Sequence, residues 1–342
     1  MTTSETAVPQ AVMRLRELAL SAACAAAVRA AARLNLADVL GETPATVEEL
    51  AAAVNADPDT LTRLLRALDC YGVFAQNEDG RYVHTETSRL LREDAPRSLK
   101  YIVLWGTEPW TWDIWGRLDD SVRTGKSVFE DVHNQEFFSY IHEHAPESAE
   151  VFNKAMTQSS KLSARAIADL LDLDGVESVV DIAGGQGHVL ATLLEKYPAL
   201  HGTLLELPGV VDNADPRLRS GELAERADLV PGDCRKEVPV QAEVYILKNI
   251  LEWDDESTVT TLRNVAAAAE PGSRVIVIEN LVDGSPEMKF TTAMDLLLLL
   301  NVGGKKHTAK GLTGLVEQSG LKIESVRRVN SYLHVIESVV PA

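Results

Sequence analysis

Positive charge is what this 342-residue sequence lacks most: 33 Lys and Arg stand against 51 Asp and Glu, a formal net charge of −18. Nucleic acids and anionic membranes both draw on basic surfaces, so the chain as a whole is a poor partner for either. Cysteine is also scarce. Cys24, Cys70 and Cys234 are odd in number and carry no metal-ligand spacing, so they read as reduced, buried thiols rather than a disulfide frame or a zinc site. The opening Met1-Thr2-Thr3-Ser4-Glu5-Thr6 lacks the basic and apolar regions of a signal peptide, and the apolar run at residues 296–300 is too short for a bilayer. These absences lead us to expect a cytoplasmic protein without a membrane, nucleic-acid or metal partner.

The length is sufficient for two domains with a large core. Residues 15–40 mix Ala, Leu and Val with Arg29 and Arg33, which suits a core or partner-facing helix. Thr46-Val47-Glu48-Glu49 begins like a capping box, and after Asp57-Pro58-Asp59 a second helix carries Leu61, Leu64, Leu65 and Leu68. Val73-Phe74 and Tyr82-Val83 around Asn77-Glu78-Asp79-Gly80 read as a hairpin, completing the order of a winged helix-turn-helix. Its Arg63 and Arg66 are surrounded by Glu48, Glu49, Asp57, Asp59 and Asp69, which opposes DNA binding. An interaction module that packs against a second copy is favoured over a regulatory winged helix.

The last half alternates strand and helix. Val179-Val180-Asp181-Ile182 followed by Ala183-Gly184-Gly185-Gln186-Gly187 is a buried strand with a glycine turn opening a helix, and Thr203-Leu204-Leu205-Glu206 is a second strand ending in an acid. Glycine turns also close ordinary βα units; the acids in register with this one make it a nucleoside site, with Glu206 placed to accept both ribose hydroxyls. A dinucleotide fingerprint needs a small residue where Leu190 stands. Asp181 can instead hold an ammonium, and S-adenosylmethionine offers an ammonium and a ribose but no phosphate. Further strands are expected at 228–233, 243–248, 274–279 and 332–337, with a helix from near Ser257 to before Pro271. Polar residues end several strands, at Asp181, Glu206, Asp233, Lys248 and Glu279, where ligands of open α/β sheets bind.

Four of the five tryptophans, Trp105, Trp110, Trp112 and Trp115, fall within eleven residues, and Phe137, Phe138, Tyr140, Phe152 and Met156 follow. Such a cluster either fills a core or walls a pocket for a planar aromatic substrate. His142 and His144 diverge on a helix and suggest no metal site. The domains expected are residues 1–100, helical winged helix; 101–175, helical linker and pocket segment; and 176–342, a Rossmann-like α/β domain.

In these motifs the chain resembles the plant-type small-molecule O-methyltransferases, especially their bacterial relatives of the aromatic-polyketide (anthracycline- and tetracenomycin-type) branch. Leu64-Leu65-Arg66-Ala67-Leu68, Gly72-Val73-Phe74, Phe152-Asn153-Lys154-Ala155-Met156 and Gly303-Gly304-Lys305 carry the likeness over nearly the whole length. It implies a class I methyltransferase domain behind a winged-helix dimerisation domain, a homodimer, S-adenosylmethionine as cofactor with S-adenosylhomocysteine as product, and a small aromatic substrate. By that likeness Asp181, Gly185 and Gly187 cradle the methionine end, Glu206 holds the ribose, Asp233 faces the adenine, and Lys248 and Trp253 border its pocket. Trp105, Phe152, Asn153, Met156, Asn249 and Asn301 are the substrate-side candidates.

Departures from the family pattern concentrate around catalysis. Ala183 replaces the first glycine of the turn, which a turn without positive φ there would tolerate, and Cys234-Arg235 replaces an apolar pair beside adenine. The stretch that normally supplies a histidine base reads Ile250-Leu251-Glu252-Trp253, one residue shorter and without histidine. Of the two glutamates that flank that histidine, one matches Glu279 and the other position holds Lys306. Three sources of catalysis stay open: Glu252 as base, Glu279 as base, or positioning alone, which can contribute about 7–11 kcal/mol. The missing histidine also keeps open a homologue that binds the cofactor but hydroxylates a polyketide.

Overall fold

In the computed structural model, which describes residues 7–283, 288–330 and 333–342, the alanine-rich N-terminal stretch forms three helices, Ala7–Ala19, Ser21–Arg33 and Leu36–Leu40. The one helix expected over residues 15–40 is thereby corrected. The break before Leu36 falls at Asn35, whose φ of 53° is left-handed backbone that Asn adopts at lower cost than most residues. Thr46 and Glu49 close a full capping box on the helix Val47–Val54, and Asp57 accepts from Thr60 N at 2.8 Å to start Pro58–Cys70. The hairpin consists of β1 (Phe74–Gln76) and β2 (Tyr82–His84), paired antiparallel. Leu36, Leu50, Leu61, Leu65, Leu68 and Phe74 form one buried cluster, whereas Val12, Met13, Leu15, Leu18 and Leu20 are exposed; of the cysteines expected to be buried only Cys234 is, Cys70 being exposed and Cys24 half-buried.

The last half builds one mixed sheet from β3 (Ser178–Ile182), β4 (His201–Glu206), β5 (Ala227–Pro231), β6 (Val244–Lys248), β7 (Arg274–Asn280), β8 (Lys322–Arg328) and β9 (Leu333–Val339). The order is β5-β4-β3-β6-β7-β9-β8, parallel from β5 to β7, with β9 antiparallel to both β7 and β8. Strand order reverses at β3, and the crevice beyond its carboxyl end is where such sheets bind ligands. Tyr245, Ile246, Val179, Leu190 and Leu204 are buried in the layers on the sheet. β8 was not anticipated. Its Lys322, Glu324, Arg327 and Arg328 mark a charged edge strand, whose weak alternation hides it from apolar periodicity. Tyr332, read as the start of the last strand, and residues 1–6 lie outside the described residues.

The chain divides into two compact units, residues up to 112 with 147–158, and residues 113–146 with 159–342. Residues 101–175, expected as a separate pocket segment, are thus shared out: the helix Pro146–Leu170 gives its first half to one unit and its second half to the other. Among the described residues no helix is long and apolar enough to cross a membrane.

The packing of β4 under the helix His188–Lys196 should be sensitive to single atoms. A Cβ on Gly202 would lie 2.5 Å from Leu190 Cδ1 and 3.2 Å from Leu194 Cδ2. Gly202→Ala should therefore lower the unfolding free energy by about 1–3 kcal/mol, read as a reduced urea midpoint.

Candidate functional site

The carboxyl ends of β3, β4, β6 and β7 bring Asp181, Glu206, Lys248 and Glu279 to one edge of the sheet. Asp181 is 1% exposed, and neither of its carboxylate oxygens has a hydrogen-bond partner among the described residues. Burial pushes its pKa up to about 7; Lys248 opposes the rise and Glu206 adds to it. A Cβ on the neighbouring Gly184 would collide with the Asp181 carboxyl group, so glycine is required there for the turn to pass. Gly185 and Gly187 take φ of 61° and 78°, the left-handed region that glycine adopts freely. Ala183 also has a positive φ, 50°, so the expectation that its backbone would suit an ordinary residue is corrected. Left-handed backbone costs an L-residue about 1–2 kcal/mol, and here Ala183 N is held to Leu205 O at 2.7 Å.

Glu206 spans the turn. Its Oε2 accepts from Gly185 N at 2.9 Å and its Oε1 from Leu207 N at 2.7 Å, while burial raises its pKa. A carboxylate has about four acceptor positions, so two remain for a diol. These features fit S-adenosylmethionine: an orphaned anion for an ammonium, a partly used carboxylate for a ribose, and glycines that let the backbone approach. Asp233 is already engaged, since Arg235 Nε and Nη2 donate to its two oxygens at 2.9 and 3.0 Å and hold its pKa below the usual range. The same guanidinium stands 5.9 Å from the centre of the Trp253 ring, linking two of the expected adenine residues.

Beyond Lys248 the chain makes a tightly held loop. Asn249 takes a φ of 51° and its N donates to Ile278 O at 2.9 Å. Glu279, 3% exposed, accepts from Ile250 N and Leu251 N, each at 3.0 Å, so one of its oxygens clamps the loop backbone. Burial first, and the Glu252 charge second, push its pKa up to about 7. His307 Nε2 donates to Leu251 O at 2.7 Å, and Lys305 N to Glu252 O at 3.1 Å. A side chain on Gly304 would strike that Glu252 oxygen. Finally the Lys306 ammonium pairs with Glu252 Oε1, leaving Oε2 without a protein partner among the described residues. The shortened loop thus does deliver the Glu252 carboxylate to the charged edge, where Lys248 feels Asp181, Glu279 and Glu252 together.

The substrate-side candidates divide between the units. Trp105, buried with its Nε1 unpartnered among the described residues, lies 6.1 Å from the Phe152 ring in the first unit, where Asn153 is exposed and Met156 half-buried. In the second unit, Asn249 and Asn301 each have a buried Oδ1 without a partner among the described residues. Sequence reasoning missed three supports. His307 holds the loop carbonyl, Asp295 Oδ1 accepts from Lys306 N at 2.6 Å, and His188 Nδ1 lies 2.6 Å from Asp215, which Arg217 also binds. Only the Lys306 position carried a signal, and it was read as a lost glutamate.

Two family profiles match the chain, an O-methyltransferase dimerisation domain over residues 16–94 and an O-methyltransferase domain over residues 115–322. The mitomycin biosynthesis 6-O-methyltransferase of Streptomyces lavendulae is 38% identical over 302 residues, 88% of this chain and 86% of that protein. The solved mitomycin 7-O-methyltransferase MmcR superposes with a TM-score of 0.87 at 34% identity, covering 98% of this chain and 99% of that one. The neocarzinostatin O-methyltransferase NcsB1, solved with S-adenosylmethionine and 2-hydroxy-5-methyl naphthoic acid, gives 0.78 at 31% identity over 93% and 96% of the two chains.

The unpartnered Asp181 makes a prediction with a definite sign. Its folded pKa, near 7, is above the unfolded value, so its contribution to stability is full below about pH 4 and is lost as pH rises through 7. Asp181→Asn should raise the melting temperature of the ligand-free protein at pH 8 and leave it unchanged at pH 4, while weakening S-adenosylmethionine binding. Glu206→Ala should weaken that binding by about 1–3 kcal/mol in calorimetry; unaltered affinity would remove Glu206 from the ribose site.

Proposed function

The chain belongs to the O-methyltransferase family, with S-adenosylmethionine as its methyl donor, and from that premise we propose that it methylates a phenolic hydroxyl of an aromatic secondary metabolite. The observation that carries the reading is the free Oε2 of Glu252, held on the same strand edge as the partnerless carboxylate of Asp181. One end of that edge suits the donor's ammonium and the other a proton from an acceptor. The bound donor supplies an electrophilic methyl on a sulfonium. Asp181 in its ionised form would accept from the ammonium, and Glu206 from the ribose hydroxyls. Asp233, Arg235 and Trp253 would enclose the adenine, with Lys248 at its border.

A phenol with an ordinary pKa near ~10 is mostly protonated at neutral pH, so a base beside its oxygen assists attack on the methyl. Glu252 Oε2 is the group we assign to receive that proton. Glu279 acts behind it, because its oxygen is spent on the Ile250 and Leu251 amides that set the direction of Glu252. Within the second unit, Asn249 and Asn301 would orient the aromatic acceptor through the Oδ1 atoms that have no partner among the described residues. The exposed apolar residues Val12, Met13, Leu15, Leu18 and Leu20 support a homodimer formed through the N-terminal domain.

Incubation with labelled S-adenosylmethionine and a panel of phenolic polyketides, followed by mass spectrometry, should give products heavier by one methylene. An oxygenated product, or none, would overturn the assignment. Glu252→Gln should lower kcat by at least ~100-fold with cofactor affinity little changed. A loss of only a few-fold would mean that positioning alone carries the reaction.

A further inference from the structure

Lys306 is a buried cation with donors to spare. Its side chain is 6% exposed, its ammonium has three N–H groups, and Glu252 Oε1 is its one partner among the described residues. The backbone around it is fixed on both sides: Asp295 Oδ1 holds its N at 2.6 Å, His307 binds Leu251 O, and Gly304 lets the chain close onto Glu252. The charged groups of neighbouring elements are Glu252, Glu279, Lys248 and the Asp295 carboxylate that holds the Lys306 amide, with Asp255 paired to Lys305 at 2.6 Å one residue away. A buried ammonium with unspent donors is costly unless a ligand acceptor completes it. The unpartnered Oδ1 atoms of Asn249 and Asn301 show that other polar groups of this unit are likewise left open.

We infer that Lys306 binds the acceptor oxygen as an oxyanion, so that the Glu252–Lys306 pair selects acidic hydroxyls, such as a phenol or enol beside a carbonyl, over amine acceptors. The inference rests on the methyl-transfer reading and adds a substrate class to it. The two residues divide the work. The acceptor O–H bond breaks with its proton passing to Glu252 Oε2, and the Lys306 ammonium, still protonated, shares its hydrogen bonds between Glu252 Oε1 and the oxygen anion. An oxygen–methyl bond then forms as the methyl–sulfur bond breaks, its electron pair remaining on sulfur. A charge-assisted hydrogen bond stabilises the anion over the neutral hydroxyl. An amine acceptor acquires positive charge during the same attack and would be repelled by Lys306.

The test uses 4-nitrophenol, whose anion is yellow, titrated by absorbance in the presence of saturating dimeric enzyme and S-adenosylhomocysteine. Bound to the wild-type protein it should ionise about one pH unit below the free probe. Lys306→Met should abolish or reverse that displacement, and Lys306→Arg should retain it. Turnover of an acidic phenol should fall at least ~10-fold in Lys306→Met with S-adenosylmethionine affinity unchanged, and the preference for acidic over ordinary phenols should flatten. Since Lys306→Met leaves Glu252 facing Glu279, Glu252→Gln combined with Lys306→Met removes both charges and guards against a misfolded single variant; it too must lose the displacement. Failure of the probe to bind, or equal ionisation in wild type and the Met variants, overturns the inference. If the wild-type enzyme methylates no phenol but still shifts the probe, the methyl-transfer reading fails and the anion site stands.

Discussion

Burial of three carboxyl groups along one edge of a sheet is the constraint around which this protein is arranged. Asp181, Glu206 and Glu279 are each at least nine-tenths buried, and each has its pKa raised by that burial. Bare carboxylates are costly in such surroundings, so they persist only where fixed donors or cations meet them. Two of the three are met by backbone: Glu206 by Gly185 and Leu207, Glu279 by Ile250 and Leu251. Asp181 is left to the attraction of Lys248. The glycine at 184 follows from the same crowding, because the chain must pass close to the Asp181 carboxyl group, which a side chain there would strike.

The loop after β6 shows how a family site can be rebuilt with its charges rearranged. Its backbone is anchored by Glu279, His307 and the Lys305 amide, and these contacts do not depend on which side chain stands at 252. Within that frame the Glu252–Lys306 pair stands where the resemblance implies an imidazole flanked by acids, so that two acids and a cation meet there.

The N-terminal unit follows a different logic. Its helices bury one face around Leu65, Leu68 and Phe74 and leave Val12, Met13, Leu15 and Leu18 of the first helix uncovered. The chain matches the family's dimerisation profile over residues 16–94, and an uncovered apolar surface of this kind suits packing against a second copy.

Local chemistry made much of this protein legible in the sequence. The capping box at Thr46, the cap at Asp57, the hairpin around Asn77 to Gly80 and six of the seven strands of the large sheet are visible because caps, turns and apolar runs act over a few residues. Asp181 and Glu206 could be placed at one sheet edge because parallel neighbouring strands must end on the same side. The edge strand β8, the break at Asn35, the positive φ of Ala183 and the division of residues 101–175 were set by tertiary packing, as was the engagement of Asp233 by Arg235. Above all, Lys306 stands 54 residues beyond Glu252 and reads as a missing acid until the fold brings its ammonium onto the carboxylate. Charge pairing across that separation has no periodicity or spacing to announce it, because it depends on where two loops meet in space.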